Sequence, residues 1–180
     1  ATSFCVNAAE LAMKGDRRVA VALLARMPDE KSPEIEVAPT ATICHIIQLA
    51  RLPDGTARLL VEGERRAKVR RTAYRKDHLS AVLELIDDAP DEANPELEAL
   101  IEVVRKDFSQ YAELVKKIPP ELVQAVMKAE GAHRLVDLAG HAIAAHAQRK
   151  QELLDAVDAR ERLEILAAIL ESEIESLALQ

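Results

Sequence analysis

Three histidines, His133, His141 and His146, come nearest to a metal-binding set in this sequence. Imidazole nitrogens suit zinc, but spacings of eight and five residues do not bring all three to one helix face, where neighbours fall three or four apart. They are read as structural, with no metal. His45 stands among alternating apolar residues with no serine partner suggested by spacing, and is read as a sheet histidine rather than a general base. Cys5 and Cys44 have neither zinc-ligand spacing nor the density of a disulfide scaffold, so both are expected to be buried free thiols. Asp87-Asp88 and Asp91-Glu92 are paired carboxylates of a kind that does acid–base work, yet they sit in a polar junction and read as solvated linker.

The run Arg65-Arg66-Ala67-Lys68-Val69-Arg70-Arg71, extended by Arg75 and Lys76, is the one basic cluster. Its charge alone would attract phosphate. Stacking platforms for bases are scarce, since Phe4, Tyr74, Phe108 and Tyr111 are the whole aromatic inventory. With a pI of about 5.3, the favoured reading is a solvated edge strand carrying gatekeeping charge, and a nucleic-acid-binding β domain is the weaker alternative. No G-x-x-x-x-G-K-[ST], G-x-S-x-G or H-E-x-x-H pattern occurs, which removes the main support for three large enzyme classes.

The elements that hold these residues change period along the chain. Apolar runs of strand length occupy Val19–Leu24, Thr42–Leu52, Thr56–Val61, Ala67–Tyr74 and Leu79–Ile86. Pro53-Asp54-Gly55 joins the second and third as a hairpin, Pro presetting φ and Gly accepting a positive one. Alternation puts Ile43, Ile47 and Leu49 on one face of the first strand, and Leu59 and Val61 on one face of the second, as in a half-buried sheet. A short helix over Phe4–Met13, stopped by Gly15, precedes them.

Beyond Pro90 the apolar period becomes that of a helix, through Leu97, Ile101, Val104, Phe108, Tyr111, Val115 and Ile118. Asn94-Pro95-Glu96 offers a capping side chain, a first-turn proline and an acid at the positive end of the dipole. Pro119-Pro120 ends that helix and opens another over Leu122–Ala129. A third is expected over Leu135–His146, and a last from Asp158, with Glu161 three residues on. Its stripe runs through Leu163, Leu166, Leu170, Ile174 and Leu177 to the chain end, and Ala1 stands where an initiator methionine would, so a longer parent is expected.

The sequence has 180 residues, 49% of them hydrophobic and 31% charged, a composition that folds. Residues 1–89 carry 14 basic and 13 acidic side chains, and residues 90–180 carry 10 and 18. Two parts are therefore expected, a β-rich lobe at 1–89 and a helical lobe at 90–180, in an α+β fold. No stretch is apolar enough to span a membrane, and the first residues lack a signal-peptide pattern, so a cytoplasmic protein is expected.

Several of these segments resemble a known family. Leu52-Pro53-Asp54-Gly55-Thr56, Leu60-Val61-Glu62-Gly63 and Arg66-Ala67-Lys68-Val69, followed by Lys116-Lys117-Ile118-Pro119-Pro120-Glu121, Arg134-Leu135-Val136-Asp137, Arg160-Glu161-Arg162-Leu163 and Leu170-Glu171-Ser172-Glu173-Ile174, resemble in order the amino-terminal substrate-recognition domain of the bacterial ATP-dependent protease Lon. The resemblance implies a small PUA-like β lobe and a last helix leading toward a coiled coil and an ATPase module. It also implies a first strand that this chain lacks, with an open sheet edge as the consequence.

The function implied is recognition of unfolded or damaged proteins and support of homo-hexamer assembly in protein quality control, without catalysis in this region. ATP and magnesium would belong to the absent ATPase module, and proteolysis to a Ser-Lys site further along. A free-standing Lon-like ligand-binding adaptor is the alternative. Apolar residues beside turns point to Met27, Pro28, Pro33, Ile35, Leu52 and Pro53 as substrate-binding candidates. The last stripe makes Leu166, Leu170, Ile174 and Leu177 candidates for assembly, against the competing reading that it packs on the chain's own helices.

Overall fold

The computed structural model describes residues 3–26, 34–88 and 94–179. The chain divides into two compact units, residues 1–86 and 87–180, and the architecture is α+β.

The first unit opens with helix α1 (Ser3–Met13), whose buried residues are Val6 and Ala9. Strands β1 (Arg18–Val21), β2 (Leu24–Arg26), β3 (Glu36–Val37), β4 (Thr40–Arg51), β5 (Ala57–Tyr74) and β6 (Leu79–Leu85) follow. Four of them form an antiparallel sheet in the order β1-β4-β5-β6, while β2 and β3 pair separately. Polar contacts dock α1 on the sheet. Asn7 donates to the Asp77 carbonyl at 2.9 Å, the Arg51 guanidinium donates to Glu10 at 2.6 Å, and the Phe4 ring meets Tyr74 edge-on at 6.1 Å.

Four expectations are corrected here. The run Val19–Leu24 breaks into β1 and β2. Thr56–Val61 and Ala67–Tyr74 fall in one strand of 18 residues, because Glu62 and Gly63 go on pairing with β4 instead of turning, with Glu64 the extra residue of a register shift. The chain can stay close there because Gly63 has no side chain; a Cβ would lie 3.3 Å from Thr42 Cγ2. The inward face of β4 is set by Cys44 and Ile46, at 4% and 0% exposure, whereas Ile47 is 49% exposed. Register shifts at Ile43/Cys44 and Ile46/Gln48 break the alternation. Finally, the basic run lies in β5, an interior strand with β4 on one side and β6 on the other, and Arg66 is buried.

The second unit contains α2 (Pro95–Val115), α3 (Pro120–Met127), α4 (Ala132–Ala142), α5 (Ala147–Asp155) and α6 (Ala159–Ala178). Asn94 caps α2 by accepting from the amides of Glu96 and Leu97, and Asp158 caps α6 by accepting from Glu161. The core gathers Val104, Phe108 and Tyr111 of α2 with Leu135 and Val136 of α4 and Leu163, Leu166 and Leu170 of α6. The helix expected over Leu135–His146 ends early. Ile143 turns extended, and the Ala144 amide donates to the buried Tyr111 hydroxyl at 3.0 Å, a tertiary partner that substitutes for the helical ladder.

Candidate functional site

The hairpin between β4 and β5 projects as a two-stranded arm. β1 pairs only with Thr42–His45 of β4, and β6 only with Ala67–Tyr74 of β5. The pairs from Ile46/Val61 to Arg51/Ala57 therefore have no third strand beside them.

Its tip is fixed by local chemistry. Gly55 takes φ +83°, which an L side chain resists. The Asp54 carboxylate accepts from the Thr56 amide at 2.9 Å and the Thr56 hydroxyl at 2.6 Å, and these bonds hold its pKa below the usual carboxylate value. The Leu52 amide donates to the Thr56 carbonyl at 2.9 Å, closing the turn.

Down the arm, apolar side chains remain in water. Leu60 is 55% exposed, Ile47 49%, Leu59 38% and Val61 37%. Leu59 stands opposite Leu49 and Val61 opposite Ile46, so these pairs share one face, while Leu60, opposite Gln48, is on the other. The first of these faces is covered at Ile46, which is fully buried, while Leu59 and Val61 stay partly in water. Exposed apolar side chains grouped on one hairpin make the arm the candidate interaction surface of this unit.

Of the expected substrate-binding residues, Leu52 is half-buried and Pro53 exposed at the arm's tip. Ile35 is half-buried beside an open groove of about 410 Å3 between the Glu34–Pro39 segment and Val69–Thr72, and its amide donates to the Tyr74 hydroxyl at 2.6 Å. Charges around that groove are largely matched, Arg26 with Glu36 at 3.3 Å and Arg70 with Glu84 at 2.5 Å. Met27, Pro28 and Pro33 lie outside the described residues. The exposure of Ile47, Leu59, Leu60 and Val61 does not follow from alternation, which groups Ile47 with Ile43 and Leu49, and Leu59 with Val61, as in a half-buried sheet. The consecutive Leu59-Leu60-Val61 was the available signal, since a strand cannot turn three successive side chains to one side.

The structure places the residues expected for assembly on α6, facing the chain's own helices. Leu166 and Leu170 are fully buried in the helical core, and Ile174 and Leu177 pack partly against it. Among the described residues no three His, Cys, Asp or Glu side chains are grouped to hold a metal, and no helix is long and apolar enough to cross a membrane. His133 instead lies 3.1 Å from Arg162 and 3.5 Å from Asp88.

A sheet with a protruding apolar arm and a separate helical unit define a binding domain with α+β architecture. Residues 4–172 match the family described as the ATP-dependent protease La (LON) substrate-binding domain, and the chain belongs to that family. It is 34% identical over 175 residues to the Lon protease of Brucella suis, covering 97% of this chain and 21% of that protein. Lon protease 1 of Syntrophobacter fumaroxidans is 35% identical over 96% of this chain and likewise 21% of its own length. The chain thus spans about a fifth of these relatives. The fold is similar to the N-terminal domain of Mycobacterium avium complex Lon protease, with a TM-score of 0.72 at 24% identity over 95% of this chain and 87% of that one. It is also similar to a Lon N-terminal domain protein from Xanthomonas campestris, with a TM-score of 0.60 at 19% identity over 91% and 82%.

Proposed function

We propose that this chain is a non-catalytic recognition module for unfolded polypeptides in a cytoplasmic, Lon-type ATP-dependent protease, acting in protein quality control. The observation that carries the reading is the apolar surface of the β4–β5 arm, with Ile47 and Leu60 about half exposed. Segments that a folded protein hides become available on unfolding, and burying them here contributes roughly 25 cal/mol per Å2 without demanding a sequence. Weak, promiscuous capture of this kind raises the local concentration of substrate beside an attached proteolytic machine. ATP hydrolysis and peptide cleavage, with their magnesium, are assigned to the part of such proteases outside the matched fifth. Hexamer assembly is assigned outside Leu166 and Leu170, which offer no free surface.

The test is fluorescence anisotropy of labelled lactalbumin, reduced and carboxymethylated so that it cannot refold, titrated with this chain beside native lactalbumin. The expected result is micromolar binding of the unfolded form alone, weakened about tenfold in the pair Ile47→Ser and Leu60→Ser. Equal binding of native lactalbumin, or none of either at high micromolar concentration, would remove the reading.

A further inference from the structure

The four-stranded sheet has two ends, and they differ. β1, at one end, is four residues long, and its Arg18 is bonded to Glu64 at 2.8 Å. β6, at the other, runs seven residues, Leu79–Leu85, with Glu84 as its one charge, and that charge is tied to Arg70 of β5. Natural sheet edges are blunted by lysines, prolines, bulges or short length. β6 carries none of these; the irregularity between β5 and β6 places the extra residue, Arg70, on β5.

The direction of the β6 backbone groups follows from two bonds. The Ile86 amide donates inward to the Arg66 carbonyl at 3.1 Å, and the Val69 amide, whose residue pairs with Leu83, donates away from β6 to Pro39 at 2.8 Å. With a period of two, the main-chain groups of Glu84, Val82 and Ser80 face β5, and those of Ala81, Leu83 and Leu85 face outward. Among the described residues nothing bonds to the main chain of those three. Val82 and Leu85, at 51% and 49% exposure, lie on opposite faces beside this edge and offer apolar contacts to whatever lines up there.

We propose that the outer edge of β6 takes up an extended segment of unfolded polypeptide as an added strand. The inference rests on the substrate-recognition reading above and supplies its mode: main-chain pairing over about 14 Å from Ala81 to Leu85. An unfolded chain presents unpaired amides and carbonyls along its whole length, whereas a folded protein has already paired them. The edge therefore distinguishes the two states of a protein without reading sequence. A second copy of this chain is the competing occupant, and the oligomeric state in solution distinguishes it.

The test compares Ala81→Pro, which deletes an outward N–H at an exposed edge position where proline is tolerated, with Ala81→Val, which keeps it. Carboxymethylated lactalbumin is expected to bind Ala81→Pro about tenfold more weakly than the unaltered chain and Ala81→Val equally well. Undiminished binding by Ala81→Pro, with loss in Leu60→Ser, overturns the edge proposal and leaves the arm reading intact. No binding by the unaltered chain overturns both. If Ala81→Pro does not fold, an eight-residue Val/Thr/Lys peptide and its alternately N-methylated form are titrated against the unaltered chain. Loss on methylation supports strand addition, and equal affinity overturns it. Sedimentation showing a dimer that Ala81→Pro dissociates would make a second copy the occupant and likewise overturn it.

Discussion

Asp137 of α4 accepts a hydrogen bond from the buried guanidinium of Arg162 of α6 at 2.7 Å. The two belong to the segments Arg134–Asp137 and Arg160–Leu163 that carry part of the family resemblance, so motifs far apart in sequence meet as one contact. Arg162 is 1% exposed, and its Nε also donates to the Leu153 carbonyl at 2.9 Å, joining α4, the end of α5 and α6. A buried guanidinium is tolerated only while its donors are occupied. Asp137→Ala is expected to lower the stability of the helical unit by about 2 kcal/mol, and Arg162→Ala by about 3–4 kcal/mol through the added loss of packing. Arg162→Met, which removes the charge and keeps the bulk, should cost less than Arg162→Ala. Urea unfolding followed by far-ultraviolet circular dichroism checks the order; an unmoved midpoint for Asp137→Ala would remove the pair from the account of this core.

At the hairpin tip the strain is conformational alone. Gly55 has φ +83°, and nothing lies within 4 Å of the place a Cβ would take. Gly55→Ala should therefore destabilise the sheet unit by about 1–2 kcal/mol, entirely through the left-handed backbone, and Gly55→Asn by less, since asparagine tolerates that region. Equal losses for the two would point to a steric cause instead. Denaturant midpoints of the two variants decide between them.

Such turn and cap positions are what the sequence makes legible. Asn94-Pro95, Asp158 with Glu161, and Pro53-Asp54-Gly55 act through bonds to residues a few positions away, and each stands where its local chemistry requires. What depends on distant partners does not read out. The inward turn of Cys44 and Ile46 is decided by two register shifts against β5, the interior place of β5 by strand order, and the end of α4 by a hydroxyl on α2. The arm was legible as a hairpin but not as a site, because its exposure reflects the absence of neighbouring strands along its outer length.

Acid should loosen the sheet unit at the arm's tip and beside β1. The folded-state pKa of Asp54 is depressed by its bonds from Thr56, and that of Glu64 first by the hydrogen bond from Arg18 and then by its charge. Depressed carboxylates contribute stability that is present above their ordinary values of 3.8 and 4.5 and is lost as pH falls through the lower folded values. Asp54→Asn and Glu64→Gln should each flatten the decline of stability with pH in that acid window and leave its shape near neutrality unchanged. The Glu64 contribution should also shrink with added salt, since the pair with Arg18 is exposed. Melting temperatures taken across the acid range, at low and high salt, separate the two; an undiminished acid slope in Asp54→Asn would show that the turn's bonds do not persist in solution.

The two cysteines report on the register of β4. Neither is in a disulfide among the described residues; Cys44 is buried, whereas Cys5 is exposed, contrary to the expectation that both would be buried. Desolvation raises the Cys44 thiol pKa above its ordinary 9.0, with the charge of Glu64 adding to the effect. The thiolate is the reactive form, so Cys44 is protected twice, by access and by protonation. A thiol-selective maleimide at neutral pH should modify Cys5 in the native protein and reach Cys44 only as the sheet opens, giving one adduct by mass before urea and two after. Cys5→Ser should abolish the fast adduct. Rapid native labelling of Cys44 would mean that β4 turns the other way, with Ile43 and Ile47 inward as strict alternation requires, and the apolar surface assigned to the arm would lose Ile47.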